Sequence, residues 1–305
     1  MNNVENNLLK EITGIENAEF NGAYNIRKNG QGVERQITEN INIVTKKDVS
    51  GIDIYVKENT KFEFIHIPVI ITESGISDVV YNDFYIGENA KVTIIAGCGI
   101  HSDHHKDSQH DGIHRFFLEK GAKVKYIEKH YGEGDGTGKR VLNPVTEVYL
   151  KEDATLEMES VQIKGVDSTI RTTKGIIEQN ANFVVTEKIM THDSQYAKTV
   201  FEVELNGENA STKVTSRSVA TENSKQKFIS RVYGNTKCFA HVECDAIIKD
   251  NSSVQAIPEI TANNVDANLI HEAAIGKIAG EQLTKLMTLG LTEKEAEEEI
   301  IKGFL

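Results

Sequence analysis

The chain has 305 residues, is 39% hydrophobic and carries 46 acidic against 34 basic residues, a formal charge of −12. It is long enough to bury a substantial core in one or two domains, and its acidity argues against nucleic acid as the main partner. No basic stretch followed by an apolar one opens the sequence, and no uncharged apolar run nears the roughly 20 residues that span a bilayer, so a soluble cytoplasmic protein is expected.

Residues 1–20 predict a short helix followed by a loop, with Leu8, Leu9 and Ile12 on one helical face. Beyond the lead-in, one phrase recurs: an apolar/polar alternation, a polar corner rich in Asn, Gly, Glu and Asp, a small residue, then another alternation. It reads IYVKENTKFEFIHI from Ile54, FYIGENAKVTIIAG from Phe84, FFLEKGAKVKYIEK from Phe116 and VYLKEDATLEMESV from Val148. It continues as GIIEQNANFVVTEK from Gly175, VELNGENASTKVTS from Val203 and AIIKDNSSVQAIPE from Ala246. Successive starts lie 27 to 32 residues apart except the last, at 43, which leaves room for two shorter coils.

One such unit cannot bury its own inward face, whereas coils stacked in register make a continuous apolar column. A mainly β fold is therefore expected, a right-handed parallel β-helix. Gly and Asn at the corners tolerate left-handed backbone and Ala fits a tight bend. A sandwich of hairpins is disfavoured, because Asn-Gly turn signals are scarce apart from Asn206-Gly207. From residue 266 the pattern reads as helical: one helix from Gly280 to a stop at Gly290, then a second opened by a Thr292/Glu295 capping box. The expected divisions are 1–40 as helix and lead-in, 41–265 as β-helix and 266–305 as a helical hairpin that covers the solenoid's end or docks a partner.

Two clusters hold candidate ligands. Cys98, His101, Asp103, His104, His105, His110, Asp111 and His114 fall within 17 residues, a density that suits a transition metal but matches no established spacing, with a polar loop between Ile95 and Phe116 as the alternative. Cys238, His241, Glu243, Cys244 and Asp245 form the second, with His271 and Glu272 further on. Cys238 and Cys244 share a parity, so on an unbroken strand both face one side. Thiolates hold iron–sulfur clusters and accept sulfur. The three cysteines are an odd number, which predicts free thiols rather than a disulfide framework, and simple burial is the plain alternative for each.

Gly134-Asp135-Gly136-Thr137-Gly138-Lys139-Arg140 fails the phosphate-binding loop pattern, lacking a Gly at 133 and a Ser or Thr after Lys139. His271-Glu272-Ala273-Ala274-Ile275 has Ile where a zinc protease needs its second His.

In its C-terminal third the sequence resembles the SufB/SufD family, scaffold subunits of the Suf iron–sulfur cluster assembly system. The resemblance rests on Cys244-Asp245-Ala246-Ile247-Ile248, Ile257-Pro258-Glu259-Ile260, His271 through Lys277, and Gly290 through Ala296 with the ending Lys302-Gly303-Phe304. It implies a scaffold without enzymatic activity that assembles a transient cluster at an interface with a second SufB/SufD-like subunit, a homodimer at this length. A SufC-like ABC-type ATPase would dock on the C-terminal helices, for which Leu283, Leu286, Met287, Ile300 and Ile301 supply apolar positions. Cys244, His271 and Glu272 match the cluster-assembly residues of the SufB branch, and Cys238, His241, Cys98 and His101 are additional candidates. Longer SufB proteins have an N-terminal region with further cysteines that this sequence lacks. The competing functions are a carbohydrate-active β-helix enzyme, disfavoured by the absence of Trp, and a purely structural regulator of an ATPase.

Overall fold

The computed structural model describes residues 2–15 and 19–305; residues 16–18, in the loop expected after the first helix, lie outside the described residues. The elements begin with helix α1 (Asn3–Thr13) and strands β1 (Ala23–Lys28), β2 (Gln31–Gln36), β3 (Ile41–Thr45), β4 (Gly51–Val56), β5 (Lys61–Ile71), β6 (Ser77–Ile86), β7 (Lys91–His101) and β8 (Ser108–Leu118). They continue as β9 (Lys123–Glu133), β10 (Arg140–Leu142), β11 (Val145–Leu150), β12 (Thr155–Lys164), β13 (Ser168–Ile177), β14 (Asn182–Thr191), β15 (Tyr196–Leu205) and β16 (Ser211–Ala220). Last come β17 (Lys225–Gly234), β18 (Phe239–Ile248), β19 (Ser253–Ala262), β20 (Asn268–Gly276) and helices α2 (Gly280–Thr288) and α3 (Glu293–Phe304).

Each coil contributes one strand to each of two facing sheets, giving a parallel β-solenoid of about eight turns. The first sheet runs β2-β1-β5-β7-β9-β12-β14-β16-β18-β20 and the second β19-β17-β15-β13-β10-β8-β6-β4-β3, with β11 pairing β8 and β13. Most inward apolar residues from both sheets form one long core, and a second, smaller cluster gathers Val69, Ile71, Cys98, Ile100, Leu142 and Val166.

The recurring phrase is the corner where the chain passes from the second sheet to the first. Asn59, Asn89, Gly121, Asp153, Asn180 and Asn209 all have positive φ there, as the composition of the corner requires. Each corner amide bonds to the next coil, as in Asn89 N–H to the Lys120 carbonyl at 3.0 Å and Asn180 N–H to that of Glu208 at 2.9 Å. The small residue that follows is buried in every case: Ala90, Ala122, Ala154, Ala181 and Ala210.

Cys238 occupies this small-residue position in the next coil, inside the 43-residue interval that left room for a further coil, and Ala267 in the last, where no phrase marks it. The phrase at Ala246 is a different object, the opposite corner between β18 and β19, where Asp250 has φ 59°. Residues 268–276, expected within the helical segment, form β20 and pair in register with β18. The helical pattern begins only at Gly280, and α2 ends before Gly290 at φ 98°.

The two ends are finished differently. At the start, β1 and β2 pair antiparallel, as do β3 and β4, so the chain folds back across the first coils. Helix α1 buries Leu8, Leu9 and Ile12 against Ile70 and the outer face of the first sheet. Glycines on β7 make that approach possible: a Cβ at Gly97 would stand 2.4 Å from the Lys129 carbonyl oxygen and 3.1 Å from Ile12, and one at Gly99 3.1 Å from Leu8. At the far end, the inward positions of β19 and β20 stay open, with Ile260 44% and Ile275 40% exposed. The helical hairpin does not cover them. It lies on the outer face of the first sheet, where Arg217 donates to the Phe304 carbonyl at 3.2 Å and Lys249 pairs with Glu297.

Candidate functional site

Strand parity decides which candidate residues meet. On β18 the inward residues are Ala240, Val242, Cys244 and Ala246, and on β20 they are Leu269, His271, Ala273 and Ile275. Cys244 and His271 therefore share the inner face of adjacent strands, Cys244 opposite Ala273 and His271 opposite Val242. Glu272 points the other way. It stands outside the solenoid beside Glu243, with His241 Nε2 3.4 Å from its carboxylate. The sheet thus separates an inner pair, Cys244 and His271, from an outer pair, His241 and Glu272.

Cys238 and Cys244 are both buried in the same core, in agreement with their shared parity. Cys244 is 1% exposed, and burial, aided by the charge of Glu187, pushes its thiol up to about 12. Burial likewise raises Cys238. In this conformation both are protonated and poor nucleophiles. His271 accepts or donates at Nδ1 to Ser230 Oγ at 3.3 Å, while its Nε2 is buried without a hydrogen-bond partner; burial lowers its basicity.

Cys244 continues an inward column of polar residues. In register across the first sheet stand Glu128, Ser160, Glu187, Ser216 and Cys244. Glu187 accepts from Thr199 and Ser216, both at 2.9 Å, and lies 3.6 Å from Arg171 Nε. Arg171, itself buried, pairs with Glu128 and donates to His130 Nδ1 at 3.1 Å. Tyr126 donates to Glu128 at 3.0 Å and meets His114 Nδ1 at 2.7 Å, while Asn82 donates to His114 Nε2 at 3.3 Å. With Nε2 as acceptor, His114 is neutral and carries its proton on Nδ1; burial pushes it down to about 4. The Arg171 guanidinium holds Glu128 ionised against its burial, whereas burial raises Glu187.

Sequence reasoning missed this column, although a signal existed. Glu128 in KVKYIEKHY and Glu187 in NFVVTEKIM occupy the parity of their buried apolar neighbours, and a charge at such a position is either paired or functional.

Among the described residues the histidine-rich segment does not converge on one metal, because its two ends belong to strands β7 and β8 and only 102–107 form a loop. His110 and His114 point inward, His104 and His105 are exposed, and His101 sits at the surface between Asp103 at 2.9 Å and Glu133 at 3.2 Å. Cys98 lies inside, in register with His130, and shares with His110, His114 and Glu128 a cavity of about 10 Å³, room for a single water. Burial raises its thiol well above the ordinary value. Cys98 and Cys244 are five strand steps apart in the first sheet, about 24 Å.

On the hairpin, Leu286 and Ile300 line a groove with Ile247, Ile278, Gln282 and Phe304, whereas Met287 is exposed; Leu283 and Ile301 are half-buried. Outside the second sheet, Tyr55, Tyr85, Phe117 and Tyr149 stack on one another with centroids 4.9 to 5.1 Å apart. Their faces are occupied by each other, which leaves poor platforms for sugar rings and weakens the carbohydrate reading. Among the described residues, no helix is long and apolar enough to cross a membrane.

These features define a parallel β-solenoid with a guarded thiol beneath an unfinished last coil. The chain belongs to the SufBD family: a model described as the SUF system FeS cluster assembly SufBD core domain matches residues 69–304. An iron–sulfur cluster assembly SufBD family protein of Methanocaldococcus jannaschii is 32% identical over 257 residues, covering 83% of this chain and 79% of that protein. One from Methanothermobacter thermautotrophicus is 27% identical over 78% of this chain, which spans only 57% of it. The SufB of Bacillus subtilis is 26% identical over 72% of this chain and 47% of its own length. The family supports a role in iron–sulfur cluster assembly.

Proposed function

We propose that this chain is a scaffold subunit on which a nascent iron–sulfur cluster, carried as cargo, is built at the open end of the solenoid. The observation that carries the reading is Cys244, one strand inside an end whose inward face has nothing over it. A second SufB/SufD-like subunit, here a second copy, would cover Ile260 and Ile275 and complete the site. His271 beside Cys244 supplies an imidazole on the inner face, and Glu272 with His241 supplies ligands on the outer one. A cluster that used Cys244 together with Glu272 would need β20 to move, since the sheet lies between them.

A protonated thiol is not a cluster ligand, so the described conformation is a resting one. Opening the last coil would hydrate Cys244 and return its pKa toward the ordinary range. The hairpin is placed to transmit such a movement, because Arg217 and Lys249 fasten it to β16 and to the end of β18, the strand that carries Cys244. A SufC-like ATPase bound at Leu283, Leu286, Met287, Ile300 and Ile301 would supply the force by hydrolysing ATP. Cytoplasmic residence fits this chemistry.

Anaerobic reconstitution with iron and sulfide, together with the ATPase, tests the site by visible absorption and Mössbauer spectra. Wild-type protein should gain cluster bands that Cys244→Ala and Glu272→Ala lose; undiminished bands in both variants would refute the assignment. Deleting residues 280–305 should abolish co-purification with the ATPase, and unchanged co-purification would remove the docking role from the hairpin.

A further inference from the structure

At the other end of the first sheet lies a surface that neither cluster assembly nor ATPase docking uses. Lys61, Lys91 and Lys123 stand directly in register on β5, β7 and β9, and Lys125 lies two residues along β9 from Lys123. All four are exposed, and among the described residues none makes an ion pair. Like charges directly opposite one another on a sheet repel, and in a chain of net charge −12 carboxylates to separate them are plentiful. The corner lysines show the contrast: Lys120 pairs with Glu152, and Lys151 with Glu119.

Within this row the strand is broken by a bulge. The register slips between Lys61 and Glu63, and Phe62 is pushed outward at φ 58°. Positive φ is strained for an aromatic residue, yet Phe62 is 77% exposed, its ring 6.0 Å from the Lys91 ammonium. Phe64, also exposed, lies on the outer face two residues on. The bulge thus presents two apolar rings beside a row of unpaired cations.

We propose that this surface docks an acidic polypeptide segment of a partner protein, whose carboxylates meet Lys61, Lys91, Lys123 and Lys125 while an apolar side chain covers Phe62 and Phe64. Charge complementarity selects the partner and the dimensions narrow it further. Three strands at ordinary spacing make the row about 10 Å long. Exposed Glu58 and Glu88 border it at the corner, and Glu157 faces Lys125 on the next coil. A bilayer or nucleic-acid duplex broad enough to reach the row would meet those carboxylates, whereas a single extended or helical segment fits between them. From β7 to β20 is six strand steps, about 29 Å, so a partner here leaves the open end free.

Fluorescence anisotropy of a labelled peptide alternating glutamate with leucine tests the proposal on the full chain. Wild-type protein should bind it, more weakly as salt rises. The combined variant Lys61→Gln, Lys91→Gln, Lys123→Gln should bind about tenfold more weakly, and Phe62→Ser should also weaken binding without changing the salt dependence. Both should retain Cys244-dependent cluster bands, which separates this surface from the assembly site. Absence of peptide binding, equal binding by the lysine variant, or preference for phosphatidylglycerol vesicles over the peptide would overturn it.

Discussion

The middle coils and the last coil are made from the same repeat, yet they hold their inward residues in opposite ways. In the middle, Arg171, Glu128, Glu187 and His114 are sealed from water and satisfied by one another or by buried neighbours such as Tyr126, Thr199 and Ser216. In the last coil, Ile260 and Ile275 occupy equivalent inward positions and remain wet. An inward position in a solenoid is buried only if another coil follows, so the same alternation produces a charged interior network in one place and an exposed apolar edge in another.

Four measurements sharpen or break that contrast. The largest effect is expected from Arg171→Leu, which strands two buried carboxylates and should cost about 3–5 kcal/mol in urea unfolding; a loss below 1 kcal/mol would mean that water already reaches the network. Next is acid. The unfolded imidazole of His114 takes a proton near 6.5 and the buried one only near 4, so between these values the unfolded chain binds more protons. Its contribution is present above pH 6.5 and is lost as pH falls toward 4, about 3 kcal/mol in all. Depressed values at His130 and His66 act in the same sense, and His114→Gln should flatten the slope.

Third, Gly97→Ala sets a Cβ against the Lys129 carbonyl and Ile12. It should cost about 1–3 kcal/mol and raise amide exchange in α1 first. An exchange pattern unchanged in α1 would show that the helix adapts. The smallest effect belongs to the open end: Ile275→Asn should alter the stability of the isolated chain by no more than about 0.5 kcal/mol. A loss of several kcal/mol would show that the end is covered in solution.

The coils between Ile54 and Val203 were legible because Asn-Ala, Gly-Ala and Asp-Ala corners repeat almost letter for letter. Recognition failed at Cys238, where a thiol replaces the alanine, and at Ala246, where Asp250-Asn251-Ser252 imitates the corner from the opposite side. The segment from Asn268 reads as helical because its Ala and Glu residues have high helix propensity, yet nine in-register backbone partners on β18 are a stronger determinant than local preference. Once that segment is a strand, the neighbours His271 and Glu272 must part to opposite faces. The inner network was invisible for another reason: Arg171 and Glu187 are 16 residues apart in sequence, and only the stacking of coils brings them together.

The protonated state of Cys244 has a further consequence, for durability. Oxidation of cysteine to sulfenic and higher acids begins at the exposed thiolate. A thiol raised to about 12 and 1% exposed offers peroxide almost no target. In the described conformation burial therefore shields the cysteine from oxidation, and on the proposed opening of the last coil it would become vulnerable to oxygen.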